Sequence, residues 1–275
     1  KHESAEAVAA WGGALHRRAG PPDTAKKDEM TPIAPPFRKP LILLLILLVV
    51  RLVLNAVAPI ADPSEARYAL ICRIMTDSGD YLRPTLIHNG APTTFDGKPP
   101  LYFQLGGLAG ELFGPGKFAV RLPAFLFSVA LLIATWATTR RLASAKAAAA
   151  ATLLLGFSVI FYVFSGLAMT DMALAFSVAG AVFSYMLFDR ASPGRSKKWS
   201  SVAFFAFLGL GMLAKGPVAI LLAGMPVFLY VLINRRWADL KRHAWICGPV
   251  VFCLVAGPWY WKMQQADPGF LEYFF

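Results

Sequence analysis

Seven apolar runs punctuate the chain, at residues 41–60, 118–139, 147–166, 170–188, 201–214, 217–233 and 244–261. About 20 apolar residues cross a bilayer core, so the runs predict about seven spans of a polytopic helix bundle. The fifth run is short. It reads either as a span with a buried end or as half of a re-entrant hairpin with the sixth. Between the first and second runs the chain turns polar to mixed over 61–117. There Tyr68, Ile71, Cys72 and Met75 recur at i, i+3, i+4 and i+7, which predicts a helix lying along the membrane surface. Asp62 suits its N-cap, Pro63 its first position, and Glu65 falls three residues after the cap, the spacing of a capping box. The expected fold class is all-α and integral to the membrane, with a long first loop carrying surface helices.

Composition agrees: 57% hydrophobic and 16% charged residues exclude a soluble domain of 275 residues. The net charge of +11 is uneven. Loop 61–121 carries six acids and six bases, whereas the short connections 140–146, 189–198 and 234–243 each carry +3. By the positive-inside rule those connections are cytoplasmic, the chain starts inside, and loop 61–117 faces out. The basic balance therefore needs no nucleic acid, and no basic stripe interleaved with aromatics suggests one. Residues 1–39, rich in Ala, Pro and charge, read as a disordered cytoplasmic lead. Residues 1–29, ahead of Met30, are expected not to belong to the natural protein. Residues 40–275 are the membrane domain.

The first run lacks a small-residue cleavage pattern and reads as an anchor. Arg51 interrupts it and is expected to pack on a neighbouring helix or snorkel toward polar atoms. Pro258, Trp259, Tyr260 and Trp261 read as an interfacial aromatic belt. The sequence stops at Glu272-Tyr273-Phe274-Phe275 without a closing element, which suggests a longer protein. Three cysteines and four scattered histidines form no metal spacing. No cofactor is firmly implied, although carboxylates could hold a divalent ion.

Topology collects charge at the outer face. Asp62 and Glu65 fit a helix cap, a general base for an attacking hydroxyl, or both. Asp171 lies between two spans, where it either caps the second or serves the chemistry. Lys215 is a lone cation in an outer turn. Lys98 precedes two prolines that fix the backbone, so it could face a phosphate. Arg121 stands at the outer start of the second span, as a phosphate ligand or a headgroup anchor. Arg67 can reach the polar side of the surface helix, and His88 reads as an ordinary loop residue. Carboxylates and cations beside lipid suit transfer of a group from a lipid phosphate: cations stabilise the leaving phosphate while a carboxylate activates the acceptor. Neither a P-loop nor a dinucleotide glycine fingerprint is present, so a lipid-borne donor is favoured over a soluble nucleotide.

Ordered motifs carry a resemblance. They are Asp62-Pro63-Ser64-Glu65-Ala66-Arg67-Tyr68-Ala69, Ser78 to Pro84 with Arg83, Gly97-Lys98-Pro99-Pro100-Leu101-Tyr102-Phe103, Leu112-Phe113-Gly114, and Ala119 to Pro123. Thr170-Asp171, Leu213 to Pro217, Pro258-Trp259-Tyr260 and Phe270 to Phe275 follow. The chain resembles membrane glycosyltransferases of the GT-C fold, in the branch of lipid A aminoarabinose transferases and bacterial relatives of dolichyl-phosphate-mannose protein mannosyltransferases. The likeness covers about residues 40–275. It implies inverting transfer of a sugar from a polyprenyl-phosphate donor to lipid A, another envelope glycan or a protein, at the periplasmic face of a bacterial inner membrane.

The resemblance also implies site roles. The base would be Asp62 or Glu65, supported by Asp171; Lys98, Arg67, Arg121 and Lys215 would bind phosphate; Tyr68, Arg83 and Tyr102 would line the substrate loop. Ser64 replaces an acid of the aminoarabinose branch, Gly97 replaces the acid before the loop lysine, and Gln104 stands where an aromatic is common. A transporter of lipid-linked glycans and an inactive paralogue acting as a membrane scaffold are the competing readings.

Overall fold

The computed structural model describes residues 35–192, 194–238 and 247–275. The lead up to residue 34 lies outside them, as do part of the basic connection 234–243 and the first residues of the seventh run. Helices dominate. α1 (Pro35–Val57) is followed by α2 (Pro63–Ser78), strands β1 (Thr85–His88) and β2 (Ala91–Thr94), and α3 (Leu101–Phe113). Then come α4 (Lys117–Leu142), α5 (Ala145–Gly156), α6 (Val159–Phe164), α7 (Asp171–Arg190), α8 (Arg195–Lys215), α9 (Val218–Ile233), α10 (Cys247–Ala266) and α11 (Phe270–Phe274).

Three of these helices, Pro36–Val57, Lys117–Leu142 and Asp171–Arg190, are both long and apolar enough to cross a bilayer. The remaining runs take other forms. Run 147–166 is two helices broken at Phe157-Ser158, after Gly156 closes the first. The short fifth run belongs to a 21-residue helix whose start, Arg195 to Lys198, is basic and therefore invisible to a search for apolar residues. Gly216, in the left-handed region at φ +77°, turns the chain from α8 into the 16-residue α9.

The all-α expectation missed a hairpin. β1 and β2 pair antiparallel with His88 opposite Ala91, and the two-residue turn is Asn89-Gly90 at φ +51° and +79°. Two positive φ values make the type I′ geometry whose twist matches that of paired strands, and Asn-Gly is its strongest sequence signal.

The helix predicted from this periodicity forms as α2, and its apolar face is buried: Ile71, Cys72 and Met75 fully and Tyr68 partly. They pack on a small-residue face of α3, where Gly106 admits the Cys72 thiol and Gly107 approaches Met75. The Thr76 hydroxyl donates to the Gly107 carbonyl at 3.0 Å and locks the pair.

The aromatic belt is corrected. Trp259 and Tyr260 are buried against Phe270, with the Trp259 Nε1–H on the Leu82 carbonyl at 2.9 Å and the Tyr260 hydroxyl on the Met212 carbonyl at 3.0 Å. Buried Tyr and Trp need such acceptors. Trp261 alone of the trio is exposed. Arg51 packs as expected: it donates to the Val163 carbonyl at 2.8 Å and lies over the Tyr162 ring.

Candidate active site

Asp62 and Glu65, alike in sequence, have different surroundings. Asp62 is exposed, and its Oδ1 accepts from the Ser64 and Glu65 amides at 2.8 and 3.0 Å, so it caps α2. Glu65 does not complete the capping box. Its carboxylate is 1% exposed and turns inward, accepting from Arg121 Nε at 2.7 Å, Arg121 Nη2 at 3.1 Å and the Ala168 amide at 3.0 Å. A bidentate guanidinium outcompetes one backbone N–H for a carboxylate.

Arg121 has no donor left over. Besides Glu65, it reaches the carbonyls of Asn55, Ala58 and Pro59 at 3.3, 2.8 and 2.9 Å. That accounts for all five of its N–H groups. The expectation that Arg121 binds phosphate therefore changes: at 3% exposure it ties the orphan carbonyls at the end of α1 to the start of α2. Through Glu65 the same knot holds Ala168, in the 165–170 segment that leads directly to Asp171.

Asp171 stands in the first turn of α7, where the helix dipole favours a carboxylate. Its Oδ1 meets Lys215 Nζ, the last residue of α8, at 2.7 Å; the two side chains are 37% and 25% exposed. Lys98 is near enough to feel both. Burial and then the Lys215 charge push the Lys98 ammonium down from its ordinary pKa, and Asp171 partly offsets this. Tyr68 belongs to the same group: burial, then the Asp171 charge, push its phenol up. Its ring lies edge-on to Phe103 at 5.3 Å. Pro99, next to Lys98, and Phe274 pack close to Gly216, next to Lys215. Four expected residues, Lys98, Tyr68, Asp171 and Lys215, are therefore brought together from four segments.

The others lie elsewhere. Arg67 is exposed on α2. Arg83 is exposed and paired with Asp80 at 2.9 Å. Tyr102 is fully buried, its hydroxyl donating to the Val120 carbonyl at 2.6 Å, so it is a core residue and does not line a substrate loop. Asp96, one residue before the Gly97 that stands where the aminoarabinose branch has an acid, is given no role by the sequence. Burial, and then the charge of Asp267, push its carboxyl up. Among the described residues no three His, Cys, Asp or Glu side chains converge as a metal site.

The family described as dolichyl-phosphate-mannose-protein mannosyltransferase matches residues 38–274. The chain belongs to this family. Within the mannosyltransferase family its relatives include the undecaprenyl phosphate-alpha-4-amino-4-deoxy-L-arabinose arabinosyl transferase of Edwardsiella ictaluri (strain 93-146), 30% identical over 217 residues, or 78% of this chain and 38% of that protein. The protein of the same name from Serratia proteamaculans (strain 568) is 29% identical over 225 residues, again 78% of this chain and 38% of its own. The chain thus spans about two-fifths of the length of these relatives.

Two solved structures share the family fold. ArnT from Cupriavidus metallidurans in the apo state superposes with a TM-score of 0.76 at 28% identity, covering 85% of this chain and 43% of that one. The same protein bound to undecaprenyl phosphate gives 0.77 at 27% identity, covering 86% and 42%.

Proposed function

We propose that this chain carries the catalytic site of an inverting glycosyltransferase that moves a sugar from a polyprenyl-phosphate donor to an envelope acceptor. The observation that carries the reading is the Asp171–Lys215 pair with Lys98 and Tyr68 beside it. The relatives named for an undecaprenyl-phosphate sugar donor, and the neighbour solved with undecaprenyl phosphate, support that donor class. The acceptor class is lipid A, another envelope glycan or protein.

In this reading an acceptor hydroxyl attacks the anomeric carbon as the bond from that carbon to the phosphate oxygen breaks. The electron pair leaves with the lipid phosphate, and the hydroxyl proton passes to a carboxylate. Lys98 and Lys215 stabilise the charge gathering on the phosphate. Asp171 takes the proton, because it is the carboxylate beside those cations. Glu65 instead acts as a positioning residue that holds the segment leading to Asp171. Asp62 caps α2, and its exposed carboxylate is the second candidate base. The donor enters from the bilayer of a bacterial inner membrane, about seven segments cross or enter it, and loop 61–117 faces the periplasm.

Transfer assays with the purified protein in lipid test the assignment. Asp171→Asn should lower kcat by about 10²–10⁴, the usual loss of a general base. Asp62→Asn keeps a good N-cap and removes only the charge, so it should stay within a few-fold of wild type. A large loss in Asp62→Asn with a small one in Asp171→Asn moves the base to Asp62. Full activity in both variants rejects base catalysis by either carboxylate.

A further inference from the structure

A cavity lies beside the run of α1, around Arg51 and Asn55. It measures about 210 Å³, and Asp62, Glu65, Arg121 and Gly166 help to line it. Arg51 and Asn55 are one helical turn apart and share a face. Asn55 is 1% exposed, yet neither its Nδ2 nor its Oδ1 reaches a described hydrogen-bond partner. Arg51 Nε is buried in the same condition. Buried donors and acceptors are nearly always satisfied, so two such side chains facing one cavity point to something that satisfies both.

The charges narrow what that is. Among the described residues Arg51 makes no ion pair; of the charged groups lining the cavity with it, Arg121 and Glu65 are paired with each other. Asp62 Oδ1 is occupied by the α2 amides. Waters alone would satisfy the carboxamide but leave the Arg51 guanidinium without a directly paired anion within an apolar run, where an ionisable group marks a functional site by default. Gly166 allows the arrangement, because any Cβ there would collide with the Arg51 guanidinium.

The geometry points to a binding site for a phosphate ester carried on a lipid, built by Arg51 and Asn55 and separate from the Lys98–Lys215 group. Arg51 Nε–H and the Asn55 Nδ2–H₂ group donate to phosphate oxygens. Asn55 Oδ1 accepts from a remaining P–OH or a headgroup hydroxyl. The neighbouring Glu65 does not oppose the anion, because Arg121 already neutralises it.

Native mass spectrometry of the purified protein in maltoside detergent tests the site, titrating phosphatidylglycerol, decaprenyl phosphate or a phosphate-free galactolipid. Beyond any lipid held at the Lys98–Lys215 group, one phosphate lipid should be retained by wild type and by Lys98→Ala, and bound at least tenfold more weakly by Arg51→Gln and Asn55→Leu. Asn55→Asp, nearly isosteric and judged folded by its thermal midpoint, should lose the lipid as well. Equal retention of both phosphate lipids assigns the site to membrane phospholipid. Retention of decaprenyl phosphate alone assigns it to the carrier, and displacement by inorganic phosphate shows that the free anion suffices. Equal binding of the galactolipid overturns the inference even if every variant unfolds, as does a cavity holding only waters in a structure fine enough to show them. Loss of the lipid in Lys98→Ala would return the phosphate to the transferase site and reject a separate one, leaving the transferase reading intact.

Discussion

At the scale of the residue, the Glu65–Arg121 pair decides most. Removing one member of a buried ion pair costs about 3–5 kcal/mol, because the other is left charged and unpaired. Arg121→Met should therefore destabilise the protein by about that amount, read from thermal unfolding in detergent. The double variant Glu65→Leu/Arg121→Met should recover most of the loss, since packed apolar residues often replace such a pair without penalty. Its transfer activity should stay low, because Ala168 has lost its anchor and Asp171 with it. A double variant with wild-type activity would mean that Glu65 does not position the site.

A pH profile examines Lys98 in the same way. Its pKa is lowered, so it gives up its proton at lower pH than an ordinary lysine, and donor affinity should fall on the alkaline side earlier than for an exposed ammonium. Lys215→Met removes the like charge, so the alkaline limb of the 1/KM profile should move to higher pH. An unmoved limb would separate the two lysines.

The cap at Asp62 was legible in sequence because capping is local. The destination of Glu65 was not, because Arg121 and Ala168 are 56 and 103 residues away. Nothing local distinguishes an acid that closes a capping box from one that reaches across the fold.

At the scale of the element, periodicity found α2 and the long apolar helices, but apolar runs alone misjudged α8, whose basic first turn is still helix. The hairpin is signalled only by Asn89-Gly90, because its two short strands carry little apolar alternation to set them apart from a loop. α2 and α3 meet at close range along a face of glycines in loop 61–117. Gly106→Val would drive a branched side chain into the Cys72 thiol and should cost about 1–3 kcal/mol. Gly90→Ala only places a Cβ in the left-handed region of an exposed turn, at about 1–2 kcal/mol at most. Thermal unfolding should rank Gly106→Val as the more damaging; the reverse order would mean that the hairpin, and not the glycine face, holds the loop.

At the scale of the whole molecule, the loop charges predict sidedness. In variants without the native cysteines, a membrane-impermeant maleimide applied to intact spheroplasts should label Asn89→Cys. It should reach Lys146→Cys and Lys198→Cys only after lysis. The opposite pattern would place the Lys98–Lys215 group in the cytoplasm and remove it from a periplasmic reaction. Gathering this site from four segments was beyond local pattern; only the order of the motifs pointed to it.

The knot at Glu65 also bears on how the protein is made. Chain growth delivers this acid 56 residues before its counter-ion and 103 before the amide that completes its shell. A nascent chain that has not reached α4 holds an uncompensated carboxylate, which water retains at the bilayer surface. α2 should therefore dock only after α4 is in place, so that loop 61–117 closes on a helix synthesised later than itself. Assembly of the loop is ordered by charge, with Arg121 as the latch.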